Sequence, residues 1–297
     1  MIRIKVPATT ANLGPGFDCA GLALSIYNYL EVKEGTDNGT NLVIHGPSGV
    51  PTGEDNLIYK TISDFFHNAG IKLPPITMWQ NDHIPMTRGL GSSAACVVAG
   101  LMAANALAET KLGREELIQM AAQIEGHPDN STPALIGGLT VGAMTEKRLE
   151  YVRLPDDSWR QLRFALMVPS FELSTEKARM ALPQKYTRQD VVHNTSRVAL
   201  LIAALMAGDF KKLFYALDDR IHQPYRSPLV PGMDVIFEEA RKNGAYNAFL
   251  SGAGPALIAV TEDEEFLPKM TEFLRDLPNN WAISWVLPDY EGATIKG

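Results

Sequence analysis

Pro85-Met86-Thr87-Arg88-Gly89-Leu90-Gly91-Ser92-Ser93-Ala94-Ala95 leads into an apolar run that continues to Ala108. The run is rich in Ala, Leu, Met and Val and predicts a buried helix over 94–108, with Ser92 and Ser93 as its N-cap residues. Gly89 and Gly91 reach backbone conformations closed to other residues and would let a ligand approach the main chain. The unpaired N–H groups and partial positive charge of the helix start suit an anion, with no lysine required. By itself the stretch fits an anion site and an ordinary helix entry equally. Two familiar phosphate motifs do not account for it. No lysine follows Gly91, so it is not a Walker loop. Gly89-x-Gly91-x-x-Ala94 fits a loose dinucleotide fingerprint, but the acid expected roughly 20 residues on, Glu109, falls at the end of the same helix instead of a second strand.

Two more stretches share the glycine-rich, hydroxyl-rich character. Pro7-Ala8-Thr9-Thr10-Ala11-Asn12-Leu13-Gly14-Pro15-Gly16-Phe17-Asp18 lies near the start, and Ser251-Gly252-Ala253-Gly254-Pro255 near the end. Together with Pro-x-x-x-Gly-Leu-Gly-Ser-Ser-Ala at 85–94, they resemble the ordered motifs of the small-molecule kinases named for galactokinase, homoserine kinase, mevalonate kinase and phosphomevalonate kinase (the GHMP family). Every fixed position of the central motif is present, and the three motifs span most of the chain.

The resemblance implies an α+β, two-domain fold: an N-terminal domain like domain 2 of ribosomal protein S5 over 1–155, and a C-terminal ferredoxin-like α/β sandwich over 156–297. It implies ATP as phosphate donor, with Pro85 to Ala95 as the phosphate loop and Asn56 on the adenine side. It also implies Mg2+ held by Ser93 and Glu125. Asn130 stands where several relatives carry a catalytic aspartate. An amide takes no proton at neutral pH, so either Asp129 serves as base or no protein base is used.

A substrate α-carboxylate needs a guanidinium, which binds it through a two-pronged fork. Arg179, in Ser174-Thr175-Glu176-Lys177-Ala178-Arg179, and Arg226, in His222-Gln223-Pro224-Tyr225-Arg226, stand in family-like contexts. By resemblance they form a carboxylate clamp, with Thr175 near the reacting phosphate, Asn12 and Asp18 at the amino end, and His127, Asp129 and Asn130 at the alcohol end. The catalytic set expected is Asn130, Asp129, Thr175 and Arg179. The pattern is most similar to the branch acting on L-homoserine; mevalonate or shikimate as the alcohol, and a silent sensor protein, are the competing readings.

Composition agrees with a globular protein. The chain has 297 residues, 45% of them hydrophobic, enough for two cores. A net charge of −7 argues against nucleic acid or an anionic membrane as the main partner. Cys19 and Cys96 read as small buried side chains in a reducing compartment. No stretch reads as a signal peptide or membrane span, so a cytoplasmic enzyme, with a homodimer as one possible assembly, is expected.

Along the chain, strands are predicted over 2–6 (ended by Pro7), 20–34, 41–45, 76–80, 139–144, 149–154, 162–168 and 281–286. Two more surround the turn at Gly252-Ala253-Gly254. Helices are predicted over 56–69, 114–125, 198–208, 210–216, 235–243 and 266–277. A turn is expected at 35–39, and the domain boundary at Pro155-Asp156-Asp157-Ser158-Trp159.

Overall fold

The computed structural model describes residues 1–37 and 39–296; Asn38, inside the expected turn, and Gly297 lie outside the described residues. Two sheets organise them. The first contains β1 (Ile2–Asn12), β2 (Gly16–Glu34), β3 (Leu42–His45), β4 (Ile76–Asn81), β5 (Leu139–Met144) and β6 (Leu149–Arg153). On it pack α2 (Ser92–Leu107) and α4 (Ser131–Ile136), with α1 (Leu57–Asn68) against α2 and α3 (Arg114–Glu125) against both. The second has β7 (Arg163–Val168), β8 (Asn247–Leu250), β9 (Leu257–Thr261) and β10 (Ala282–Val286) in the antiparallel order β10-β7-β9-β8. Its helical segments are α5 (Thr175–Met180), α6 (Arg188–Ala207), α7 (Leu213–Ala216), α8 (Gln223–Arg226), α9 (Met233–Lys242) and α10 (Phe266–Arg275). A last strand, β11 (Thr294–Lys296), returns to the first sheet and pairs with β1. Among the described residues no helix is long and apolar enough to cross a membrane.

In the second sheet β7, β8 and β9 are buried on both faces, which explains their unbroken apolar runs, while β10 exposes Ala282 and Ser284 at the edge. Phe164 and Leu166 of β7, with Ile258 and Val260 of β9, join the core of the first sheet. Their neighbours Ala165, Met167, Leu257 and Ala259 join a second core with Met233, Ile236 and Phe237 of α9 and Phe266, Met270 and Leu274 of α10. Period-two alternation thus glues one sheet to both halves of the molecule.

Several boundaries differ from expectation for identifiable reasons. Pro7 does not end the first strand: β1 runs on to Asn12, and the register against β2 slips between Pro7 and Ala8. On the other side β11 pairs only with Arg3 to Lys5, so the missing N–H of Pro7 falls at a bulge, where a ladder bond is not required. Helix α6 starts ten residues before the expected Val198, because Thr187 caps it by accepting from the Asp190 N–H and its first turns are polar. The short elements α4, α5, α8 and β11 carry too few periodic residues to announce themselves.

Candidate active site

A cavity of about 570 Å³ opens where the first sheet, the start of α2 and the β8–β9 hairpin meet. It gathers most of the residues singled out above: Asn12, Asp18, Asn56, Pro85 to Ala94, Glu125, His127, Asp129, Asn130, Thr175, Arg179 and Arg226. Ala95 is buried just behind it, in the core.

Helix α2 begins at Ser92, and its N-cap is Gly91, in a left-handed conformation at φ 70° with no side-chain cap. The serines therefore do not cap. Gly91 makes the turn, and Ser93 Oγ is left to donate to Glu125 Oε1 at 3.1 Å. The glycines also act differently from expectation. A Cβ on Gly89 would lie 2.2 Å from the Ser251 carbonyl oxygen, and one on Gly91 would lie 1.9 Å from Thr9 Oγ1. Both missing side chains make room for protein, not ligand. The loop is pressed between β1 and the β8–β9 hairpin: Thr9 N–H donates to Leu90 O, Ala256 N–H to Arg88 O, and Ser251 Oγ to Gly89 O at 2.6 Å. Leu90 is 1% exposed and belongs to the core. Arg88 Nε and Nη2 donate to the Pro169 and Ser170 carbonyls, so its side chain ties the loop to the second half of the molecule and does not reach for a phosphate.

Asn56 caps α1: its Oδ1 accepts from the N–H groups of Ile58 and Tyr59, and its Nδ2 donates to Pro51 O and Gln80 Oε1. That carboxamide is spent on the wall of the cavity. Asn12 is similarly engaged, donating to Gly252 O at 2.9 Å and accepting from the Asp18 N–H. It fastens the β1–β2 hairpin to the second sheet.

Charge is arranged at the opposite end. Arg179 grips Asp18 in a two-pronged pair of 2.9 and 3.1 Å. Burial works against the Arg179 charge, and Asp18, with Asp129 and Glu125, outweighs it, so its pKa lies above the ordinary value. Asp129 is 3% exposed. Its Oδ1 lies 2.6 Å from His127 Nδ1 and 3.4 Å from Asn130 Nδ2. Burial pulls the His127 imidazole down; the hydrogen bond and charge of Asp129 outweigh this and raise its pKa. Ligand atoms of Asp18, His127 and Asp129 lie within 4.8 Å of one another, but these pairings already balance them. Asn130 Oδ1 accepts from Thr9 Oγ1 at 2.7 Å, which turns its amide nitrogen to the other side. Thr175 is exposed at the first position of α5, next to Ser174, the cap of that helix.

Glu125 is the candidate metal ligand. Burial pushes its carboxyl above the usual range, against the lowering effects of His127 and Ser93. A partly buried carboxylate and a hydroxyl are hard oxygen donors, and a cation would relieve the charge that burial penalises. Both cysteine thiols are free and only partly buried, less so than expected, and burial drives Cys19 to about 11 and Cys96 to about 12, which leaves them poor nucleophiles.

Sequence reasoning passed over Thr9, Phe17, Asp219 and His222. Thr9 and Phe17 sat inside a quoted motif without a role, and His222 stood four residues before Arg226. Nothing in the sequence marked Asp219.

A helix start behind left-handed glycines, faced by paired arginines between two α+β halves, is the arrangement of a small-molecule kinase of the GHMP class. Residues 56–138 match the GHMP kinases N terminal domain, and residues 201–279 match the GHMP kinases C terminal domain. The homoserine kinase of Clostridium acetobutylicum is 42% identical over 99% of this chain and 100% of that protein. That of Caldicellulosiruptor bescii is 42% identical over 99% of this chain and 97% of its own. The crystal structure of homoserine kinase from Cytophaga hutchinsonii superposes with a TM-score of 0.87 at 26% identity, covering 99% of this chain and 97% of that one. Mevalonate kinase from Methanococcus jannaschii shares the fold at 14% identity, with a TM-score of 0.73. The chain belongs to the homoserine kinase family.

Proposed function

We propose that the protein transfers the terminal phosphoryl group of ATP to the hydroxyl of L-homoserine, giving O-phospho-L-homoserine and ADP. The observation that carries this reading is Arg226, a buried guanidinium with no carboxylate partner among the described residues, lining the same cavity as the first turn of α2. One end accepts an amino-acid carboxylate; the other accepts phosphate.

The main-chain N–H groups at the start of α2 receive the phosphates, aided by the helix dipole. Magnesium fits the donor set of Ser93 and Glu125; when bound, it supplies neutralisation of phosphate charge. The substrate ammonium pairs with Asp18 and its carboxylate with Arg179 and Arg226, so the Asp18–Arg179 contact gives way to two contacts with the zwitterion. Asn130, held by Thr9, offers its amide N–H to the alcohol oxygen and sets the hydroxyl in line. Thr175, at the start of α5, faces the transferred group. Asp129 already accepts from His127 and Asn130, which favours the mechanism without a protein base: the alcohol proton leaves to phosphate or solvent. Positioning and electrostatics then supply the catalysis.

The reading is tested by coupled ADP release with a panel of alcohols. L-homoserine is expected to be turned over best; faster turnover of mevalonate or shikimate would move the assignment elsewhere in the class. The metal proposal has its own test. Glu125→Gln is expected to raise the magnesium concentration for half-maximal rate by roughly tenfold, with the deficit shrinking at high magnesium, because an amide is a poor ligand for this ion. An unchanged magnesium titration would remove Glu125 from the metal site.

A further inference from the structure

Arg226 is 2% exposed, and a buried guanidinium is normally matched by a carboxylate. Here it is not. Its Nε donates to Ala178 O at 3.3 Å, and its Nη1 donates to Gly252 O at 3.0 Å and lies 3.3 Å from His222 Nδ1. Nη2 has no hydrogen-bond partner among the described residues. The Phe17 ring lies beneath the guanidinium, its centroid 5.3 Å from Cζ, and stacks on the His222 imidazole at 5.3 Å and 29°.

The nearby acids are committed elsewhere. Asp18 is paired with Arg179, and Asp129 accepts from His127. Asp219, the nearest acid to the imidazole at 3.7 Å, accepts from the backbone N–H groups of Ile221, His222 and Gln223 and from Asn194 Nδ2. Two carbonyls, an imidazole and an aromatic face therefore hold Arg226 without cancelling its charge.

The tautomer of His222 follows from this geometry. Guanidinium nitrogens can only donate, so Nδ1 must accept, and the ring proton sits on Nε2, which donates to Gly14 O at 2.7 Å. The ring is uncharged, and complete burial holds its pKa below the ordinary value, which keeps it so. Burial, followed by the like charge of Arg179, lowers Arg226 itself to about 10, leaving it charged at neutral pH and poorly compensated.

We propose that His222 and Phe17 are positioning residues for substrate specificity: a neutral seat that orients Arg226 while leaving its charge for the carboxylate of an α-amino acid. The inference rests on Arg226 being the carboxylate anchor, and the test separates the two.

Wild-type enzyme is first assayed with L-homoserine and with 3-aminopropan-1-ol, which has the same amine and alcohol but no carboxylate. A strong preference for homoserine is expected. Its absence would overturn the anchor reading and this proposal together. His222→Phe keeps a ring but loses the acceptor, and it should raise KM for homoserine roughly tenfold, with KM for ATP within about twofold and the aminopropanol rate unchanged. His222→Asn, whose side-chain oxygen can take the place of Nδ1, should restore homoserine KM to within about threefold of wild type. Phe17→Leu removes the aromatic face by an independent route and should likewise raise KM for homoserine alone, so the question stays answerable if His222→Phe does not fold. Equal losses on homoserine and aminopropanol, or His222→Asn no better than His222→Phe, would mean that the pair only supports the fold and would overturn the proposal.

Discussion

Replacing Arg226 with leucine is expected to lower kcat/KM for L-homoserine by roughly 30-fold or more, while KM for ATP stays within about threefold. Removing one partner of a buried charge contact commonly costs about 2–5 kcal/mol, and the low end of that range corresponds to the 30-fold figure. The fold should tolerate the change. The guanidinium is held by carbonyls and an imidazole, so no protein carboxylate is stranded by its loss, and leucine avoids the cost of burying a charge. Arg179→Leu should cost less. It removes half of the clamp but also frees Asp18, which accepts both guanidinium nitrogens of Arg179, for the substrate ammonium. Steady-state kinetics with both substrates decide the matter, and a homoserine KM unmoved in both variants would end the carboxylate-clamp reading while leaving the kinase fold intact.

The other large effect is on stability. Gly89→Ala is expected to destabilise the protein by roughly 3 kcal/mol or more, from the strain of a side chain at positive φ added to that of overpacking. Gly89 sits at φ 73°, and its Cβ would meet the Ser251 carbonyl oxygen at 2.2 Å and the Gly254 nitrogen at 2.8 Å. These are backbone atoms with no rotamer to yield, so the loop and the β8–β9 hairpin must separate. Chemical denaturation of the variant measures this directly. A loss under about 1 kcal/mol would show that the contact between loop and hairpin is soft.

That contact also marks where the sequence stopped being readable. The glycine loop and the apolar α2 were legible, because each rests on short-range spacing or on residue types in a recognisable motif; Ser93 and Glu125 were linked only through the family resemblance, as metal ligands, and their direct hydrogen bond is what the structure adds. What the glycines are for was not. Gly91 faces Thr9 and Gly89 faces Ser251, and a pattern that looks like access for a ligand is in fact clearance between segments far apart in the chain. The N-cap was misjudged for a related reason: two serines outrank glycine in propensity, yet the left-handed turn at Gly91 sets where the helix starts. His222 and Phe17 stayed silent because their roles exist only once the β1–β2 hairpin, α8 and the 251–254 turn are brought together. Asn12 and Asn56 were expected beside the ligands; both line the cavity, and their carboxamides also fasten its wall, which only the hydrogen-bond partners reveal.

The tether from Asn12 to Gly252 spans 240 residues of sequence. On the ribosome, the glycine loop and the Asp18 turn are therefore synthesised long before the hairpin that braces them. Because closing so long a loop is paid before its contacts reward it, the catalytic cleft is one of the last features to take shape. Until then the nascent first half carries an unbraced glycine loop and the apolar inner surface that β7 and β9 later cover.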